Sequence, residues 1–342
     1  MTSARRSASP NRLRYAAQPG HVESYFIRAN DPARPRAVWL KVTVFAPLEG
    51  EAQVESWFIF FDESRPSPVA GRETARFRAE AFTPAGGRDR ASACRLTLTL
   101  GSHGSARGSV RAATGDAVVD LTWIPGPDAI SAPLSLLRGR LLQGGPFPRS
   151  KLLTPFPALS LSGHIDVGNE RVVLDGWPGM QGHNWGREHA FEYAWGQCLF
   201  PATEREPDTM LEGFTARVQI GGRTTPRVSC LVVQRGDRTF RFDRLFDLWR
   251  QAATLEPQRW TLRMRGTAGE ARLEMDASGR PMACLGYRNP DGTTRYCENS
   301  KLARVRLQVQ PRRGAAFACE SAHGGALEFL RAKKDPRFPD IL

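Results

Sequence analysis

The sequence predicts an all-β protein built from two antiparallel domains. Three observations carry this. Apolar and polar residues alternate with a period of two in both halves, as in Leu96, Leu98 and Leu100 against Arg95, Thr97 and Thr99, and in Val305, Leu307 and Val309 against Arg304, Arg306 and Gln308. Such alternation marks half-buried antiparallel strands. Turn signals punctuate these runs at Gly86-Gly87, Gly115-Asp116, Gly221-Gly222, Gly236-Asp237 and Asp291-Gly292, which favours barrels or sandwiches over a parallel sheet. At 342 residues the chain also exceeds what one hydrophobic core ordinarily supports.

In chain order, residues 1–20 carry Arg5, Arg6, Arg12 and Arg14 with no apolar run between them and read as a disordered head. A first domain is expected over 21–187, a second over 188–332 and a tail over 333–342. In the first, Val38, Leu40, Val42 and Val44 alternate with Trp39, Lys41, Thr43 and Phe45. The Pro- and Gly-rich stretch Pro125 to Pro157 reads as irregular, and the strand through Ile165, Val167, Val172 and Leu174 breaks at Gly176-Trp177-Pro178-Gly179. In the second domain Trp260, Leu262 and Met264 alternate with Thr261, Arg263 and Arg265. Helix is expected only in short pieces. Asp243 to Ala253 places Leu245, Leu248, Trp249 and Ala252 at helical spacing behind a capping Asp, and Ala326 to Ala332 closes the domain.

The net charge of +13 comes almost wholly from Arg scattered through strands and loops. Nucleic-acid binding would need those charges clustered with stacking aromatics, so no specific nucleic-acid partner is expected. The same charge would drive a weak peripheral attraction to anionic membrane surfaces. With no secretory signal and no apolar run of membrane-spanning length, a soluble, cytoplasmic protein is expected. The six cysteines are far apart with no C-x-x-C pair, which suggests neither a zinc site nor a disulfide scaffold. Cys94, Cys198 and Cys230 fall in apolar strand patterns and read as buried thiols.

Candidate chemistry concentrates in Gly182-His183-Asn184-Trp185-Gly186 and the following Tyr193-Ala194-Trp195-Gly196-Gln197-Cys198. With Trp177, the region holds three of the eight tryptophans. Flanking glycines let backbone approach closely and bulky rings turn inward. His183 reads either as an acid or acid-orienting residue, or as a buried histidine whose ring nitrogens are satisfied at a barrel rim. Glu212 lies on a strand with Met210, Phe214, Ala216 and Val218 on its own face. Turned inward it would be either a desolvated acid with a raised pKa or an Arg-paired structural carboxylate. The spacing of His183 and His189 does not fit a helical metal pair, and no metal is expected.

Three places in the chain carry a family resemblance. Glu23 to Asn30 leading to Ala37-Val38-Trp39-Leu40-Lys41 resembles the opening strands of the double-lipocalin superfamily that contains carotenoid 1,2-hydratase (hydroxyneurosporene synthase) and tocopherol cyclase. His183-Asn184-Trp185-Gly186 resembles its H/N-x-W-G element, and Trp195-Gly196-Gln197 its W-x-Q strand. The resemblance implies two lipocalin-like barrels and an apolar small-molecule ligand. It also implies chemistry without redox cofactor or metal, in which an isoprenoid alkene is protonated and water or an internal hydroxyl captures the cation. On this basis His183 and Glu212 are the expected catalytic residues, with Trp177, Asn184, Trp185, Tyr193, Trp195 and Gln197 contacting the ligand. Met210 stands where the hydratases carry an aromatic two residues before the acid. A non-catalytic lipid carrier or sensor, or a structural protein with filled barrels, would use the same strands.

Overall fold

A computed structural model describes residues 9–127, 130, 132–136, 139–220, 223–244 and 251–338. Ten strands form the first sheet: β1 (His21–Asn30), β2 (Arg36–Ala46), β3 (Gln53–Asp62), β4 (Val69–Arg76), β5 (Asp89–Ala93), β6 (Leu96–Leu100), β7 (Gly104–Ala112), β8 (Gly115–Pro125), β9 (Ser150–Val167) and β10 (Glu170–Gly186). They pair antiparallel in the order β4-β3-β2-β1-β10-β9-β8-β7-β6-β5, and β4 meets β7 again at Gly71 and Ala112 to close a barrel. Closure requires glycine at position 71, where a Cβ would stand 2.3 Å from the Arg111 carbonyl oxygen.

The chain crosses to the second sheet after Gly186. There follow β11 (Glu192–Phe200), β12 (Thr209–Arg217), the small hairpin β13 (Gln219–Ile220) and β14 (Arg223–Thr224), β15 (Val228–Arg235), β16 (Arg238–Phe242), β17 (Gln251–Glu256), β18 (Arg259–Gly266), β19 (Gly269–Asp276), β20 (Ala283–Arg288), β21 (Thr294–Pro311) and β22 (Phe317–Arg331). The order is β16-β15-β12-β11-β22-β21-β19-β18-β17, with β20 on the far half of β21. The edges approach where the Ser229 backbone N–H donates to Gln251 Oε1 at 3.1 Å. The expected all-β, two-barrel class is the class observed.

Each barrel has its own core, one including Leu40, Leu98, Trp123, Leu161 and Trp177, the other Leu231, Trp260, Met264 and Leu307. A third apolar cluster joins them through Phe26, Trp39, Trp57, Trp195, Leu285 and Leu330. The outer faces of β1, β2 and β3 pack against the second barrel, so these strands are buried on both sides. Strand β8 has no such cover and keeps strict alternation of buried and exposed residues. Arg28 also bridges the barrels, fully buried, with Nη1 donating to the Gly324 carbonyl at 3.3 Å and Nη2 to the Gln197 carbonyl at 3.4 Å.

Several local expectations change. Ala326 to Ala332 is not a helix, because it lies within β22 through Arg331, hydrogen-bonded on both sides by β11 and β21. Of the helix expected over Asp243 to Ala253, residues 245–250 lie outside the described residues, and Gln251 to Ala253 opens strand β17. Helix does occur at Arg140–Gly144, with a 3₁₀ turn at Ala79–Phe82. The irregular stretch ends sooner than expected, since β9 starts at Ser150. The glycines around Trp177 do not break β10 but shift its register against β9, a bulge with Gly176 at φ +62°. Cys94 sits exposed on the turn between β5 and β6, and no disulfide joins any of the cysteines. Residues 9–20 form no strand, yet they pack specifically against the first barrel.

Candidate active site between the barrels

The covered faces of the two barrels do not meet everywhere. Between them lies a cavity of about 520 Å³, within the usual range of small-molecule sites. The first barrel supplies Ser24 and Phe26 from β1, Trp39 and Lys41 from β2, Leu152 and Thr154 from β9, and Asn184 and Trp185 from β10. The second supplies Tyr193 and Trp195 from β11, Glu212, Phe214 and Ala216 from β12, Tyr287 from β20 and Glu328 from β22. Aromatic rings and polar or charged side chains share these walls. An ionisable group buried against the rings without a charge partner is pushed toward its neutral form.

Glu212 is the most consequential of these groups. Strand pleating turns it to the cavity with Phe214 and Ala216, while Leu211 faces the barrel core. Its side chain is wholly buried and no Arg pairs with it among the described residues. Instead the Thr154 hydroxyl donates to its carboxyl at 2.8–2.9 Å and the Trp195 indole N–H donates at 3.1 Å. Burial pushes its pKa up to about 7; the two hydrogen bonds and the field of Arg28 oppose the shift without cancelling it. A carboxyl of this kind holds a proton near neutrality and can deliver it into the cavity.

His183 has a different position. Its neighbours along β10 face the cavity, but its own ring points into the first barrel, stacked on Tyr25 at 4.4 Å. Nδ1 hydrogen-bonds the Pro10 carbonyl at 2.8 Å and Nε2 hydrogen-bonds Glu23 at 2.8 Å. Both ring nitrogens are thus occupied, and the ring has none left for a ligand. Glu23 is the hub of this cluster, also accepting from the backbone N–H groups of Arg14 and Tyr15, the Tyr25 hydroxyl and His21. Burial alone would raise its pKa, but hydrogen bonds from His183 and His21, the field of His183 and the backbone donation together bring it down to about 2.

The expected site residues therefore divide. Asn184, Trp185, Tyr193, Trp195 and Glu212 share the cavity wall. Trp177 belongs to the first barrel's core, and Gln197 is buried beside β12 with its Nε2 donating to the Pro157 carbonyl at 3.3 Å. The structure adds Thr154, Lys41, His189 and Glu328. Thr154 lies 58 residues before Glu212 in the chain and has no motif of its own. Lys41 shares its strand face with Trp39 and Phe45, and those large apolar neighbours are the sequence signal that this face is not a solvent face. His189 stacks on Tyr287 at 4.9 Å, and burial followed by the charge of Lys41 pushes its pKa down to about 3.

No family model matches the chain. An uncharacterised protein of Mycobacterium tuberculosis is 22% identical over 320 residues, covering 94% of this chain and 90% of the relative. Two solved structures share the fold across the whole molecule. One is a protein of Nitrosomonas europaea assigned provisionally as AttH, with TM-score 0.57 and 13% identity, covering 91% of this chain and 92% of that one. The other is kievitone hydratase from Nectria haematococca, with TM-score 0.56 and 11% identity, covering 92% and 90%. The likeness is one of fold, the two antiparallel barrels in succession. Among the described residues no helix is long and apolar enough to cross a membrane.

Proposed function

We propose that this protein binds an apolar small molecule between its barrels and acts on it as a cofactor-free hydratase, cyclase or isomerase, with Glu212 as the proton donor. The observation that carries this reading is a wholly buried carboxyl, its pKa lifted to about 7, facing a cavity of about 520 Å³ whose wall beside it is formed by Trp195 and Phe214. The fold shared with a hydratase, kievitone hydratase, supports this reading, and so does the resemblance of the strand motifs.

In the proposed reaction the Glu212 carboxyl transfers its proton to one alkene carbon and the cation forms on the other. The faces of Trp185, Trp195 and Phe214 offer that cation electron density without a nucleophilic atom. Thr154 and Trp195 donate to the carboxylate left behind, which stabilises it as it forms. Water or an internal hydroxyl then attacks the cation, and the proton it sheds returns to Glu212. Loss of a neighbouring proton instead gives the isomer. His183 takes no direct part; its role is to hold the strand that presents Asn184 and Trp185. Cysteines that form no disulfide fit a reducing compartment, and we place this activity in the cytoplasm.

The test is to incubate the purified protein with a panel of prenylated and polyene compounds and follow the products by mass. A mass gain of one water, or a shifted double bond, that disappears in Glu212→Gln is the expected result. Binding without product across the panel would make the protein a carrier, and neither binding nor product would remove the reading.

A further inference from the structure

The cavity contains a second buried charge that the proton-transfer chemistry leaves unused. Lys41 is 4% exposed and lines the cavity on β2. Its ammonium nitrogen lies 3.8 Å from the ring centroid of Tyr287, 4.5 Å from that of Trp57 and 5.3 Å from that of Trp39. Among the described residues no oxygen accepts a hydrogen bond from it. The carboxylates nearby are engaged by other cations: Glu55 by Arg72 and, at 2.9 Å, Arg288, and Glu328 by Lys301 at 2.6 Å. Three aromatic faces stabilise the ammonium but do not satisfy its three N–H donors. The fields of Glu55 and Glu328 reach the ammonium, but a buried cation without a hydrogen-bond acceptor is costly unless something supplies one.

Lys41 and the Glu212 site stand at opposite sides of the same cavity floor. Lys41 pairs across β1 with Phe26, Phe26 pairs with Gly182 of β10, and Gly182 lies in the bulged step facing residues 154–155 of β9. Three inter-strand spacings therefore separate Lys41 from Thr154, roughly 14 Å. The surface between them is apolar. The Phe26 ring covers Gly182, where a Cβ would come within 2.1 Å of it, and packs edge-on against Trp195 at 6.3 Å.

We infer that the ligand is an elongated amphiphile whose anionic oxygen, a carboxylate or an ionised phenol, pairs with Lys41 while its apolar body runs over Phe26 to place the reacting bond at Glu212. This rests on the reading of the cavity as a ligand site and specifies which class of molecule it takes. The two ends then serve different purposes. Lys41 fixes register along the chain and adds ground-state affinity, whereas Glu212 acts only where the proton moves.

Two matched probe pairs test this by direct binding to the full-length protein: a long-chain polyene carboxylic acid with its methyl ester, and a long-chain alkyl phenol with its methyl ether. The wild type is expected to prefer at least one anionic member over its methylated partner by about tenfold or more. Lys41→Met, similar in length and without charge, is expected to erase that preference while keeping affinity for the methylated probe. Glu212→Gln is expected to retain the preference. Which pair shows it identifies the anion. Equal affinity within both pairs, or a preference that survives Lys41→Met, would overturn the inference and leave the cavity reading standing. Failure of all four probes to bind the wild type would remove both. Should Lys41→Met not fold, Lys41→Gln is read in the same way.

Discussion

Two glutamates, equally buried, behave in opposite ways in this molecule. Glu23, on the inner face of the first barrel, is held ionised down to about pH 2, while Glu212, on the wall between the barrels, is held protonated up to about pH 7. Burial acts on both in the same direction, so it cannot be what separates them. The difference lies in the donors. Glu23 receives two backbone N–H groups, a tyrosine hydroxyl and two histidines, whereas Glu212 receives one threonine hydroxyl and one indole N–H and otherwise faces open cavity. A carboxyl surrounded by donors is structural; one with too few is poised to exchange a proton.

The largest expected effect breaks the comparison at its reactive end. Glu212→Gln should lower turnover by about 10²–10⁴-fold, the usual contribution of a positioned acid, with an unfolding midpoint no lower than wild type. A large loss of stability with turnover retained would make Glu212 the structural carboxylate instead. At the other end, Glu23→Gln should cost about 3–5 kcal/mol in denaturant unfolding, because it removes the buried charge that its donors were arranged around. Turnover of the fraction that remains folded should change little. A mild loss, within about 1 kcal/mol, would mean that the cluster does not hold the barrel rim.

Acidity offers a second contrast, and its sign differs between the two groups. Glu23 has a folded pKa of about 2, below the ordinary 4.5, so the stability it confers is present above pH 4.5 and is lost as pH falls through 2. Glu212 has a folded pKa of about 7, above the ordinary 4.5, so the folded state holds an extra proton across that window. Its contribution is complete below pH 4.5 and declines by about 3 kcal/mol as pH rises to 7. Unfolding free energies of wild type and Glu212→Gln should therefore diverge progressively from pH 4.5 to 7, with the variant losing less. Parallel curves would show that Glu212 titrates normally.

Much of the fold was legible because half-buried strands write their geometry into the sequence. Leu96, Leu98 and Leu100 are buried between half-buried threonines, as alternation requires. Where strands are buried on both faces the signal fails. Residues 326–330 combine helix-forming Ala, Leu and Glu with no polar face, and only their pairing with β11 and β21 makes them a strand. The site was legible in part for the same reason. Period two placed Glu212 with Phe214 and Ala216, but nothing local could show that the outer face of β12 meets β9 and closes a cavity with Thr154. His183 drew attention through its glycines and tryptophans, although its partner Glu23 lies 160 residues away and is what fixes its ring.

The smallest expected effect sharpens the comparison by moving Glu212 further from Glu23. Thr154→Val keeps the shape of the side chain and removes one of the two donors to the carboxyl. The lost hydrogen bond favoured the ionised form, so its removal should raise the pKa of Glu212 further, by about one pH unit for a bond to a charged group. Because the protonated form is the active acid, activity that declines on the alkaline side near pH 7 should decline about one unit higher in the variant. At pH 6 the two proteins should differ little, and the divergence should grow toward pH 8. An alkaline limb that stays in place would show that the threonine hydroxyl does not tune the acidity, and one that moves to lower pH would mean that this hydroxyl accepts from a protonated carboxyl in the resting state.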